Sequence, residues 1–203
     1  MRKIITTTFM TLDGVMQAPG GPEEDTAGGF AQGGWSFNYW DDPMSEVMDG
    51  IMRTPFDLLL GKRTYGIFAS YWPFTKSDPL VAEKFNSTRK YVVSHTPMPL
   101  PWQNSFLVSG DVPAELKKLK GEDRPDLWVH GSGNLIQTLL THGLVDRMLV
   151  WTFAVSVGGG KRLFAEGVQA AQWKLVDGKI SPGGVIIATY EPAGPLKTGS
   201  FAV

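Results

Sequence analysis

Apolar runs in this chain are repeatedly closed by a glycine turn that opens directly into a helix-forming stretch, and this alternation limits the fold more than any other feature. Phe56 to Leu60 is a short continuous apolar run, read as a buried strand, that ends at Gly61 and passes into a short helix over Lys62 to Tyr71. Leu127 to His130 repeats the pattern. It enters Gly131-Ser132-Gly133 and then a helix over Asn134 to His142 carrying Leu135, Ile136, Leu139 and Leu140. Further strands are expected over Lys3 to Met10, Arg89 to Ser94, Ser105 to Val108 and Val145 to Val155. Met44, Val47, Met48, Ile51 and Met52 recur at helical spacing behind Asp41 or Asp42 as cap, with Pro43 in the first turn. Weaker helical patterns cover Val81 to Asn86 and Pro113 to Lys120. Strands joined through helices run parallel and are covered on both faces. The end of the chain breaks this rule: Trp173 to Ile180 and Val185 to Tyr190 flank Ser181-Pro182-Gly183-Gly184, a hairpin signal. The expected fold is therefore α/β, in three layers, with a mixed, mostly parallel sheet and an antiparallel C-terminal hairpin. One domain over residues 1–191 and a loose tail over 192–203 follow.

Composition narrows the functional classes. A chain of 203 residues with 42% hydrophobic and 19% charged residues can build a full core. A net charge of −1 gives no electrostatic case for nucleic acid or an anionic membrane. No run approaches the roughly 20 apolar residues of a spanning helix. Without cysteine there is no disulfide and no thiolate site, and the three histidines show no metal-ligand spacing. Met1-Arg2-Lys3 leads straight into the β-like run Ile4 to Phe9, so a cytoplasmic protein is expected. Residues 17–40 are rich in Gly, Pro and aromatics; a loop of that length in a compact domain is usually functional or mobile.

Chemistry can gather at four places. In Leu60-Gly61-Lys62-Arg63-Thr64, a helix start offers free N–H groups, a glycine permits close approach, and two cations and a hydroxyl complete a phosphate site. The same sequence would also serve as an ordinary strand–helix turn with solvated basic residues. His130-Gly131-Ser132-Gly133-Asn134 offers a second helix start, although Ile136 stands where a dinucleotide fingerprint has its third glycine. Ser94, His95 and Thr96 end a strand, where an adenosine ribose or its 2′-phosphate could lie. Gly158-Gly159-Gly160-Lys161-Arg162 reads as close backbone contact or a mobile turn. Asp13, in the Asp-Gly turn after the first strand, is the best-placed early carboxylate.

The succession Thr11-Leu12-Asp13-Gly14-Val15, Leu60-Gly61-Lys62-Arg63-Thr64-Tyr65, Tyr91-Val92-Val93-Ser94, Val129-His130-Gly131-Ser132-Gly133, Gly143-Leu144-Val145-Asp146 and Gly158-Gly159-Gly160-Lys161-Arg162-Leu163-Phe164 resembles one family over about residues 1–191. It is the C-terminal reductase domain of the bifunctional riboflavin-biosynthesis deaminase-reductase and its stand-alone bacterial relatives, within the dihydrofolate-reductase-like fold. The resemblance implies NADPH binding and a homodimer. It places Gly61, Lys62, Arg63 and Thr64 at the pyrophosphate or 2′-phosphate, and Ser94 with His95 and Thr96 by the adenosine. Gly131, Ser132, Gly133 and Asn134 cover the pyrophosphate at the second helix start, and Asp13 borders the nicotinamide and substrate. Glu46 and Asp49 on the first helix are the nearest counterparts of the pterin-binding acid of dihydrofolate reductase.

Two functions are carried forward. The first is an NADPH-dependent reductase that passes hydride to a small planar heterocycle, pterin- or pyrimidine-like, such as 5-amino-6-(5-phosphoribosylamino)uracil. The second is a non-catalytic nucleotide-binding or sensor protein on the same fold. A flavin is the alternative cofactor, since Lys62 and Arg63 suit its phosphates too.

Overall fold

A computed structural model describes residues 1–201 of the chain. Eight strands form one sheet in the order β4-β3-β2-β5-β1-β6-β8-β7. They are β1 (Ile4–Thr11), β2 (Phe56–Gly61), β3 (Lys90–Val93), β4 (Ser105–Val108), β5 (Asp126–His130), β6 (Arg147–Phe153), β7 (Ala171–Ile180) and β8 (Ile186–Pro195). The first six in sequence are mutually parallel, with Ile4 opposite Leu127 and Ile5 opposite Arg147 on the two sides of β1. β8 runs antiparallel to β6 and β7 antiparallel to β8, so the expected hairpin forms one edge.

Five helices cover the sheet: α1 (Asp42–Met52), α2 (Lys62–Tyr71), α3 (Pro79–Ser87), α4 (Val112–Lys120) and α5 (Gly133–Thr141). Because successive strand residues point to opposite faces, the buried strands feed two cores at once. On one face Leu58, Leu60, Val92, Leu149, Trp151 and Phe153 meet α1, α2 and α3 through Met44, Ile51, Tyr65 and Phe85. On the other, Leu59, Leu127, Val129, Met148 and Val150 meet α4 and α5 through Leu116, Leu135, Ile136 and Leu139. This is the three-layer arrangement expected from the alternation. Among the described residues no helix is long and apolar enough to cross a membrane.

Helix ends follow the sequence signals. The carboxylate of Asp41 accepts the Met44 N–H at 3.1 Å, with Pro43 inside the first turn, so Asp41 is the cap of α1. His142 closes α5, its N–H donating to the Thr138 carbonyl before Gly143 turns left-handed at φ 60°. One boundary differs from expectation. β8 continues beyond Tyr190 through Pro195, with Pro192 opposite Trp173 and Pro195 opposite Ala171, so the stretch expected to be loose begins as strand paired with β7 alone. Proline is tolerated there because the pairing with β6 ends at Tyr190, which leaves one side of the strand with no ladder to complete. Residues 202–203 of the expected tail lie outside the described residues.

The 17–40 segment is ordered by its aromatics. Trp35 is buried, donates its indole N–H to the Gln17 carbonyl at 2.8 Å and sits edge-on to Phe153 at 5.3 Å between centroids. Edge-to-face pairs of this kind add about 0.5–1.5 kcal/mol to the area they bury. Phe30 and Ala18 are buried with it, so the loop lies folded over the carboxyl end of β1 and is not free in solvent.

Candidate functional site

The carboxyl ends of β1, β2, β3 and β5 bring three of the sequence motifs into one row. In open α/β sheets this edge is where ligands bind. At its centre the N-termini of α2 and α5 lie side by side, bolted by reciprocal hydrogen bonds. The Gly61 N–H donates to Ser132 Oγ at 3.0 Å, and the Ser132 N–H donates to Thr64 Oγ1 at 3.1 Å. Ser132 adopts φ 61°, ψ 49°, directly after Gly131 at φ 58°. Two successive left-handed residues turn β5 sharply enough to point the first turn of α5 at that of α2. A Cβ on Gly61 would stand 3.6 Å from the Ser132 Cβ, and one on Gly133 would stand 3.1 Å from Met16 Sδ. The glycines therefore keep the cradle between the two helix starts free of side chains, as close approach of a pyrophosphate requires.

Cationic and hydroxyl groups flank this cradle. Lys62 and Arg63 are exposed on the first turn of α2, and Asn134 is exposed on the first turn of α5. Lys62 Nζ donates to Thr96 Oγ1 at 3.1 Å, which ties the α2 start to the end of β3. Ser94 is buried and turns its hydroxyl onto the Thr96 carbonyl at 2.7 Å, while His95 projects to solvent. Gly61, Lys62, Arg63, Thr64, Ser94, His95, Thr96, Gly131, Ser132, Gly133 and Asn134 thus belong to one continuous edge.

The expected acidic residues are placed otherwise. Asp13 closes the turn after β1, where its carboxylate accepts Thr11 Oγ1–H at 2.6 Å, the Gly158 N–H at 2.8 Å and the Val157 N–H at 3.2 Å. The Thr11 hydroxyl and these backbone donors hold the carboxyl below its ordinary range, against a desolvation that pushes it up. Asp13 is an ionised clamp on the loop after β6. Glu46 and Asp49 stand on the outer side of α1, Glu46 beside Lys179 of β7 at 3.3 Å and Asp49 beside Arg53 at 3.5 Å. The apolar stripe of α1 faces the sheet, so a residue two positions from Met44 turns to water.

Lys161, in the fourth candidate segment of the sequence, meets two groups that the sequence did not mark, Gln17 and Asp25. The Gln17 amide donates to the carbonyls of Asp25 and Ala27, both at 2.9 Å, and its Oε1 accepts the Lys161 N–H at 3.0 Å. The Asp25 carboxylate pairs with Arg63 Nη2 at 2.6 Å and with Lys161 Nζ at 2.5 Å. These contacts join the long loop to α2 and to the glycine-rich segment after β6. Below them opens a cleft of about 500 Å³ lined by Gln17, Phe30, Val157, Gly160 and the Ala27–Gly29 turn. Gly160 sits at φ 126°, and a Cβ there would come within 2.8 Å of Val15 and 3.0 Å of Phe30. The hints in the sequence were the length and glycine content of the 17–40 loop and the glycines that precede Lys161 and Arg162.

His130, the residue before the β5 turn, is core. Its ring packs 5.0 Å from Phe85 and 6.1 Å from Trp128, and burial lowers its pKa to about 3. It stays neutral at ordinary pH, with Nε2 unpartnered. Among the described residues no cluster could hold a metal ion.

Comparison with known proteins agrees with this architecture. The family model described as the RibD C-terminal domain matches residues 2–187. The uncharacterized protein YyaP of Bacillus subtilis (strain 168) is 26% identical over 192 residues, covering 93% of this chain and 94% of that protein. Among solved structures, a putative riboflavin biosynthesis protein from Shewanella sp. PV-4 superposes with a TM-score of 0.66 at 21% identity, over 94% of this chain and 98% of that one. A pyrimidine reductase-like protein from Corynebacterium diphtheriae gives 0.60 at 12% identity, over 94% and 92%. Dihydrofolate reductase from Enterococcus faecalis, complexed with NADP(H) and RAB-propyl, gives 0.59 at 13% identity, over 94% and 96%. At these identities the structural matches speak to the fold, which is dihydrofolate-reductase-like.

Proposed function

The chain belongs to the RibD C-terminal domain family, and on that premise we propose that it is an NADPH-dependent reductase acting on a small planar heterocycle of pterin or pyrimidine type. The observation that carries the reading is the pair of bolted helix starts, α2 and α5, side by side at the carboxyl edge of a parallel sheet, with Lys62 and Arg63 exposed on the first turn of α2. A dinucleotide bound there supplies the hydride; the protein supplies position and exclusion of water.

In this reading the N–H groups of the α2 and α5 first turns hold the pyrophosphate, and Arg63 forks onto a phosphate. Lys62 adds charge, while Ser94 and Thr96 border the adenosine ribose. The Asp13 clamp fixes the loop after β6 against the turn after β1, and so shapes the wall beside the reacting ring. Because its oxygens are committed to three donors, Asp13 does not act as the acid, and water delivers the proton to the acceptor.

The same commitment of Asp13 favours a second reading, a nucleotide-binding or sensor protein on this fold. Turnover separates the two. The purified protein is mixed with NADPH and a panel of pterins and pyrimidines, and loss of reduced nicotinamide absorbance is followed. Acceptor-dependent oxidation supports the reductase; binding of NADPH with no oxidation across the panel supports the sensor.

A further inference from the structure

Asp25 is a carboxylate held the way a ligand's anionic group would be held. Its Oδ1 pairs with Arg63 Nη2 at 2.6 Å and accepts the Ala27 N–H at 3.1 Å; its Oδ2 accepts from Lys161 Nζ at 2.5 Å. A guanidinium from α2 and an ammonium from the segment after β6 converge on it as an anion-binding pair, while the Ala27 N–H closes a local turn of the same loop. The carboxylate side chain is only 9% exposed, while Arg63 remains 58% and Lys161 45% exposed, so both cations keep a flank open to an incoming anion. Burial alone would raise the Asp25 carboxyl, but Lys161, the Ala27 N–H and the Arg63 charge outweigh it and keep the group ionised.

Asp25 also lies where its release would matter. It belongs to the same loop as the Ala27–Gly29 turn and Phe30, which line the 500 Å³ cleft, and Lys161 is on the facing wall. The loop is also fastened by the Gly34 N–H to the Ala18 carbonyl, by the Trp35 indole to the Gln17 carbonyl, and by the Gln17 amide to the Asp25 and Ala27 carbonyls. The side-chain ion pairs of Asp25 are the link between its middle and α2.

We propose that Arg63 and Lys161 form an anion subsite which the chain fills with its own Asp25 carboxylate, and that a phosphate of the bound dinucleotide takes Arg63 in its place and releases the Asp25 turn from α2. Asp25 thereby sets the charge a ligand must carry to open the acceptor side of the site. The inference rests on the dinucleotide reading above and adds to it a competitor for the ligand's phosphate.

The test uses the full-length protein and NADPH itself. Asp25→Asn keeps the shape and a hydrogen-bond acceptor for Ala27 but removes the competing charge. NADPH affinity is expected to rise about tenfold, the equivalent of one charge-assisted hydrogen bond no longer displaced. Affinity that is unchanged or weaker in Asp25→Asn overturns the proposal, because a merely structural clip predicts that result. Hydrogen exchange of residues 20–34 in the wild-type protein gives a second answer that needs no variant. Faster exchange with NADPH bound is expected, and unchanged or slower exchange overturns the proposal while leaving the reductase reading intact. If NADPH binds neither protein, the reading and the inference fall together.

Discussion

Lys90 begins β3, the strand whose far end presents Ser94 to Thr96, and it does so as a fully buried ammonium. Its Nζ donates to the carbonyls of Thr88 at 2.8 Å, Gln103 at 3.1 Å and Asn86 at 3.2 Å, and lies 4.3 Å from the centre of the Trp102 ring. Among the described residues no carboxylate pairs with it, and burial pulls its pKa from 10.5 down to about 8. Between about pH 8 and 10.5 the unfolded chain therefore carries a proton that the native chain has shed. Stability rises with pH wherever the unfolded state binds more protons, so Lys90 adds stability across that window. The gap corresponds to about 3 kcal/mol in total, at about 1.4 kcal/mol per pH unit. Replacing Lys90 with methionine removes the effect while roughly keeping the volume. Urea unfolding of both proteins, followed by tryptophan fluorescence at a series of pH values, isolates it, because all other titrating groups cancel in the difference. Wild-type stability should gain on Lys90→Met by about 3 kcal/mol between pH 8 and 10.5. A difference that stays flat, or falls, refutes a desolvated lysine at this position.

Three further perturbations follow from the packing and the site. Asp57→Ala removes the buried partner of Arg2, whose side chain is fully enclosed, and should cost about 3–5 kcal/mol in chemical denaturation, nearer the lower figure because Glu122 and the Pro125 carbonyl still hold the guanidinium. The double replacement Arg2→Met with Asp57→Leu should recover much of that loss. Gly160→Ala forces a Cβ to 2.8 Å from Val15 at φ 126° and should lower stability by about 1–3 kcal/mol, read by thermal unfolding; no change would mean the cleft wall yields freely. Arg63→Ala should weaken NADPH binding by about 1–3 kcal/mol by fluorescence titration, and unchanged affinity would put the phosphate elsewhere.

Much of this molecule is written locally. β2 and β5 could be read as buried strands because both faces are covered and their side chains need no polar alternation. The helix starts after Gly61 and Gly131 could be read because the turn residues are punctuation. What escaped reading is what depends on distant partners. Asp57 sits inside an apolar run and is intelligible only once Arg2, 55 residues away, is beside it. Asp25 and Lys161 are 136 residues apart, and neither segment alone marks an anion site. Ser132 was legible as part of a glycine turn before a helix, but that its hydroxyl accepts the Gly61 N–H and joins two helix starts depends on a partner 71 residues away. Glu46 and Asp49 were legible as helical, yet their face follows from the Met44–Ile51 stripe, and it points them to solvent. The β7–β8 edge ran longer than expected because an exposed edge strand needs little hydrophobic signal: most of β7 faces water.

In the proposed function a dinucleotide lies with its pyrophosphate at the joined starts of α2 and α5 and its 2′-phosphate on the cations beside them. Titration of the purified protein with NADPH and with NADH, following nicotinamide fluorescence, tests it most directly. Micromolar binding of NADPH with much weaker binding of NADH is the predicted result. Binding of neither would contradict the account and make flavins the next ligands to try.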